Sequence, residues 1–175
     1  NKNFKVYLTR NSDRYIKLRN RVKYARNKSA DLFISIHADS TLNKNTNGTS
    51  IYSLSEKASD KLSQALADRD NKSDLIAGLD LDDLDKDVSD ILIDLSRRET
   101  KNSSINFAEL FISYLEKQKF NLLRRPHRQA GFAVLKAPDV PSVLIEMGFI
   151  SNNSDLKKLT NPKFQKQLMK NVADI

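Results

Sequence analysis

Cysteine is absent from this 175-residue chain. Its absence excludes disulfides and thiolate zinc sites, and fits either the cytosol or an oxidising compartment. Histidine occurs twice, so no all-histidine zinc site can be assembled from this chain. No apolar run approaches the ~20 residues of a membrane span. Aromatic residues make up 7% of the chain and no stacking motif accompanies them, which argues against nucleic acid as a partner. There is no internal repeat and no low-complexity linker. The first residues read as mid-domain sequence, not as a signal peptide. Glycine numbers only four, and none precedes Gly48.

What remains is a polar, basic chain with 39% hydrophobic and 30% charged residues. Its length suits one domain with a real core. Thirty Lys and Arg against 22 Asp and Glu give a net charge of +8. Such a surface attracts polyanions, whether nucleic acid, anionic lipid or an acidic cell-wall polymer, and charge alone does not choose among them.

Residues 30–39 are the organising stretch. Leu32, Phe33, Ile34 and Ile36 form a short apolar run that stops at His37, with Asp39 beyond. Such a run reads as a strand buried on both faces. A histidine at its end stands at the rim of a sheet, where ligands and metals sit in α/β proteins. Taken alone, such a histidine is more often only a hydrogen-bonded rim residue. A second run, Val143, Leu144 and Ile145, ends in Glu146. An ionised carboxylate there is costly unless paired. One imidazole and one carboxylate at the rims of two buried strands are parts of a metal-assisted hydrolase site.

Along the chain, Phe4, Val6 and Leu8 alternate as in a strand, and Asp13 is a good N-cap. Tyr15, Leu18, Val22 and Ala25 mark a helix whose other face is basic, read as solvated. Residues 43–48 form a loop and 49–54 a strand. Ser55 caps a helix carrying Ala58, Leu62, Ala65 and Leu66. Asp80, Asp82, Asp83, Asp85 and Asp87 form an acidic run, read as a solvated loop or as a flap over a cationic or metal site. Val88, Ile91, Leu92 and Leu95 mark one helix. Asn102 and Ser103 cap another bearing Phe107, Phe111 and Leu115. Residues 119–128 read as a basic connector with Arg124, Arg125, His127 and Arg128. His127 lies among cations, faces substrate or solvent, and is a poor metal candidate. Residues 132–136 read as a strand, and Asn161-Pro162 opens a last helix.

These residues carry a resemblance. Thr9-Arg10, Asp13, the stretch 30–38 ending at His37, Gly48 before a strand, Val134-Leu135-Lys136 and the stretch 141–152 around Glu146 closely resemble zinc-dependent N-acetylmuramoyl-L-alanine amidases, in particular the periplasmic cell-division kind typified by AmiB and AmiC. The similarity runs from about Val6 to the C-terminus. It implies an α/β fold of three layers: a twisted, mostly parallel or mixed sheet with helices on both faces. It implies a single catalytic domain over 1–175, incomplete at its N-terminus. Such enzymes cut the amide between N-acetylmuramic acid and L-alanine in peptidoglycan. They hold one Zn²⁺ with two histidines and a glutamate, and a second glutamate acts as acid/base. His37 falls on a zinc histidine and Glu146 on the acid/base. Asp39, where many relatives carry asparagine, is a candidate second-shell acceptor for His37, and Arg128 a candidate substrate contact. The family's opening strand, glycine-rich histidine loop and ligand-bearing helix are not in this sequence, so two of three expected ligands are missing.

The resemblance further implies a plug within 55–88 that blocks the site until an activator protein displaces it. Asp70 and Asp68 are the candidate blocking carboxylates. It implies periplasmic location in a Gram-negative bacterium and a monomer with no membrane span. Two other readings stand beside it: a non-catalytic peptidoglycan-binding module, and a zinc carboxypeptidase acting on stem peptides.

Overall fold

The structure, a computed structural model, describes residues 4–76 and 90–174. Four strands form one mixed sheet: β1 (Phe33–His37), β2 (Thr49–Leu54), β3 (Leu122–Ala130) and β4 (Ser142–Glu146). Their order is β1-β4-β2-β3. β4 runs parallel to β1 and antiparallel to β2, and β3 runs parallel to β2.

Alternation along the strands divides the core in two. Tyr52 and Leu144 face one side. There they meet Leu18 of α1 (Leu18–Asn27), Leu66 and Ala67 of α2 (Lys61–Asn71), and Val134 and Leu135 of a 3₁₀ turn (Ala133–Leu135). Ile51, Val143 and Ile145 face the other. There they meet Ala108, Phe111 and Leu115 of α4 (Asp90–Lys117) and Leu168 of α6 (Pro162–Ala173). Two short helices, α3 (Ser73–Ile76) and α5 (Asn153–Leu159), complete the set among the described residues. The fold is α/β, with helices on both faces of the sheet.

Several expectations are corrected. Residues 4–9 are not a strand: they pair with nothing in the sheet, and Phe4, Val6 and Leu8 are 62%, 78% and 69% exposed. β1 is an edge strand, not one buried on both faces, and Ile36 is 47% exposed. α1 begins at Leu18 without a side-chain cap of its own from Lys17. Its first amide is met instead from α3, by Asp74 Oδ1 at 3.1 Å, which satisfies an otherwise orphaned donor. α2 is capped by Asp60, not Ser55, through Ser63 N at 2.9 Å. α4 is a single helix of 28 residues where two were expected. Asn102 and Ser103 lie inside it, because no Gly or Pro interrupts it and the apolar spacing of Ala108, Phe111 and Leu115 simply continues.

The basic stretch 119–128 is largely strand. As β3 it forms the outer edge of the sheet, where charged side chains are tolerated and discourage pairing with other chains. Residues 132–136 form the 3₁₀ turn instead, tucked under α1 and α2. The acidic run 80–87 and the flap reading lie outside the described residues, as does that part of the 55–88 segment.

Candidate metal centre

β1 and β4 end together. In the parallel register His37 stands opposite Glu146, and β2 brings Ser50 to the other side of Glu146. The alternation that sends Leu144 towards α1 and α2 sends Glu146 the same way. Pairing continues past the strand ends: Met147 N donates to His37 O at 3.0 Å and Ile150 N to Asp39 O at 2.8 Å. The rim is therefore held by backbone.

Glu146 is buried, 1% exposed. Its Oε1 accepts from Asp39 N at 2.8 Å, while Oε2 has no partner. Burial pushes its carboxyl up to about 8, against the pull of the Asp39 amide and the His37 ring. His37 Nδ1 lies 3.7 Å from Asp39 Oδ2, and Nε2 lies 3.7 Å from Asp70 Oδ1. Burial alone would lower its pKa, but the carboxylates of Asp39, Asp70 and Glu146 lift it above the ordinary value.

One donor atom each from His37, Asp39 and Glu146 lie within 4.8 Å of one another. An imidazole nitrogen with carboxylate oxygens suits Zn²⁺. The buried, partnerless Glu146 Oε2 and Asp70 Oδ2 are what a cation or its water would satisfy. On these observations the residues fit a divalent cation.

Asp70 comes from the last turn of α2 and its side chain is 8% exposed. Burial raises its pKa, partly offset by His37 and Arg21. Asp68 is elsewhere: it is exposed and its carboxylate accepts from Gln64 Nε2 at 2.8 Å. Of the two candidate blocking residues, only Asp70 faces His37. Arg128 is buried on the same side of the sheet. Its guanidinium is engaged by Asp60 and by the carbonyls of Arg124 and Arg125, so it braces the protein. His127 is half-buried and pairs with Ile51, on the face of the sheet opposite Glu146 and away from the rim site. Its Nε2 lies 2.9 Å from Ser53 Oγ, and burial lowers its pKa. Ser50 and Asp74 were not singled out in the sequence. For Ser50 a signal existed: alternation back from Tyr52 puts it at the strand's start on the Glu146 side.

Residues 1–175 match the family described as N-acetylmuramoyl-L-alanine amidase. AmiC of Escherichia coli is 40% identical over 172 residues, covering 97% of this chain and 40% of that protein. AmiA of Escherichia coli is 36% identical over 168 residues, covering 95% of this chain and 58% of that protein. The chain thus spans about half the length of these curated relatives. The catalytic domain of CwlV, from Bacillus (Paenibacillus) polymyxa var. colistinus, superposes with a TM-score of 0.59 at 24% identity, over 97% of this chain and 69% of that one. Ami1 of Mycobacterium smegmatis gives 0.62 at 16% identity, over 94% and 61%. These two share the fold. A match along the whole chain, on a sheet that sets His37 beside Glu146, makes this chain a member of the N-acetylmuramoyl-L-alanine amidase family.

Proposed function

We propose that this chain belongs to a zinc-dependent enzyme that hydrolyses the amide between N-acetylmuramic acid and L-alanine in peptidoglycan, and that it serves septal wall splitting and cell separation. The observation that carries the reading is the His37–Glu146 register, with one carboxylate oxygen of Glu146 held by Asp39 N and the other unpaired. The Escherichia coli relatives are amidases of a Gram-negative bacterium, which supports an enzyme of the cell envelope; action in the periplasm as a monomer is part of the proposal.

His37 would hold the Zn²⁺, with Asp39 beside its other nitrogen fixing the ring. Zinc, when bound, supplies Lewis acidity and a water whose pKa is drawn towards ~7. Glu146 Oε2 accepts the proton of the attacking water and passes it to the leaving nitrogen. A buried carboxyl with one oxygen held and the other unpaired is placed for both transfers. Asp39 N keeps Oε1 fixed, so Oε2 is the oxygen that exchanges protons.

Asp70 supports an autoinhibited resting state. Its carboxylate lies on the far nitrogen of His37, where substrate or metal would approach, and α3 beyond it is tied to α1 through Asp74. An activator protein would have to lift this segment. The test uses the full-length protein on purified peptidoglycan. Glu146→Gln should lower hydrolysis by about 10²–10⁴-fold while zinc content stays at the wild-type value. Near-normal turnover of the variant would remove Glu146 from the mechanism.

A further inference from the structure

β3 is irregular beside the site. Thr49 pairs with Leu122 and Ile51 with His127, so the single residue Ser50 faces the four residues 123–126. Ser50 is also the neighbour of Glu146. The bulge therefore lies in the same row as His37 and Glu146, two strands from Glu146, or about 10 Å at the usual strand spacing.

The bulge is held tightly. Arg125 has φ +56°, a left-handed conformation that is uncommon for arginine and costs energy. Arg128, 9% exposed, fixes it from beneath: Nε donates to Arg125 O at 3.0 Å, Nη2 to Arg124 O at 2.9 Å, and Nη1 pairs with Asp60. Asp60 in turn caps α2. The shape so held presents Arg124 and Arg125, both exposed and neither paired with a carboxylate among the described residues. Protection of a sheet edge is served by cations anywhere along the strand. It does not call for a strained bulge with a buried arginine beneath it in the row of Glu146. Bulges next to active sites re-aim side chains. Between bulge and Glu146 the floor is polar, because Ser50 Oγ and Tyr52 OH are buried without partners.

We propose that Arg124 and Arg125, set by the Arg128–Asp60 brace, form a carboxylate-binding subsite for the leaving peptide of the substrate. The proposal rests on the amidase reading above. An extended peptide rises ~3.3–3.6 Å per residue, so an acidic group two or three residues beyond the scissile amide reaches ~7–10 Å, the span from Glu146 to the bulge. Guanidinium–carboxylate hydrogen bonds are charge-assisted and directional.

The test compares two substrates on the full-length protein: a muramyl tripeptide with free carboxylates and the same molecule with those carboxylates amidated. The variant is Arg124→Gln with Arg125→Gly, since glycine accepts the left-handed backbone and keeps the bulge. Wild type should show a KM about tenfold lower for the free acid. The variant should bring the two KM values together by raising the one for the free acid, and should still unfold in a single cooperative transition. Wild type without preference, or a variant that retains it, overturns the subsite. If neither substrate is cleaved by wild type or by Asp70→Ala, which removes the blocking carboxylate, the amidase reading fails instead. Calorimetric binding of the same two molecules then decides the subsite alone: a preference lost in the variant supports it, and a preference absent or retained overturns it.

Discussion

Ile145 and Glu146 are neighbours on β4, yet they belong to different worlds. Ile145 faces α4 and α6, where Phe111, Leu115 and Leu168 are all fully buried. Glu146 faces α1 and α2. On that side lie four of the five buried side-chain atoms that lack a partner among the described residues: those of Ser50, Tyr52, Asp70 and Glu146. The fifth, in Asn171, belongs to α6. Leaving a buried polar group unsatisfied costs about 1–3 kcal/mol. One layer is thus built for cohesion. The other carries a polar cost that a bound cation, water or substrate would offset.

The sharpest way to break this division is to exchange the consequences. Phe111→Ala, on the apolar side, should destabilise by about 3–5 kcal/mol, read by denaturant unfolding. Glu146→Gln should leave unfolding unchanged or slightly harder, since it removes a buried acid. Equal destabilisation by both would erase the distinction between the layers. Next in size, Asp70→Ala should raise basal activity on peptidoglycan about tenfold, a coupling within the common range for such restraints. Activity at or below wild type would count against a blocking role.

The smallest effect concerns Asp60. Burial would raise its pKa, but hydrogen bonds from Ser63 and the charge of Arg128 hold it below the ordinary carboxylate value. A depressed acid contributes stability fully above its unfolded pKa and loses it as pH falls through the folded one. Asp60→Ala should therefore cost about 1 kcal/mol near neutrality. The gap from wild type should narrow as pH drops below the usual carboxylate range, measured by unfolding at several pH values. A gap independent of pH would remove the ionised carboxylate from the brace.

The two rim residues were legible because an apolar run that stops at a polar side chain marks a strand end. Their meeting was not, because it depends on pairing between segments 107 residues apart, as Asp39 and Glu146 are. β3 escaped notice for a different reason: Arg124, Arg125, His127 and Arg128 mask its alternation, and only an edge position admits them. The run Phe132 to Leu135 misled in the opposite sense. Its apolar residues are buried, but as a 3₁₀ turn beneath two helices, since burial does not specify backbone. Asp70 was nameable as an acid near the end of α2. That it, and not Asp68, faces His37 follows from helix phase.

Asp155, at the start of α5, has one further implication. Its Oδ2 receives both Gly48 N at 2.8 Å and Phe149 N at 3.1 Å. A side chain at Gly48 would come within 2.6 Å of the Leu122–Leu123 backbone. The entrance to β2 and the exit from β4 are thus moored to one post, while Asp39 is moored to Ile150. The loop 40–47 between those points is pinned along its length as well: Thr41 N donates to Ser151 Oγ at 3.0 Å, Asn152 Nδ2 to Lys44 O at 2.8 Å and Arg69 Nη1 to Ser40 O at 2.5 Å. An insertion or deletion there would pull on Ser151, Asn152 and Arg69 together, and so reach the row of His37 and Glu146 from two sides.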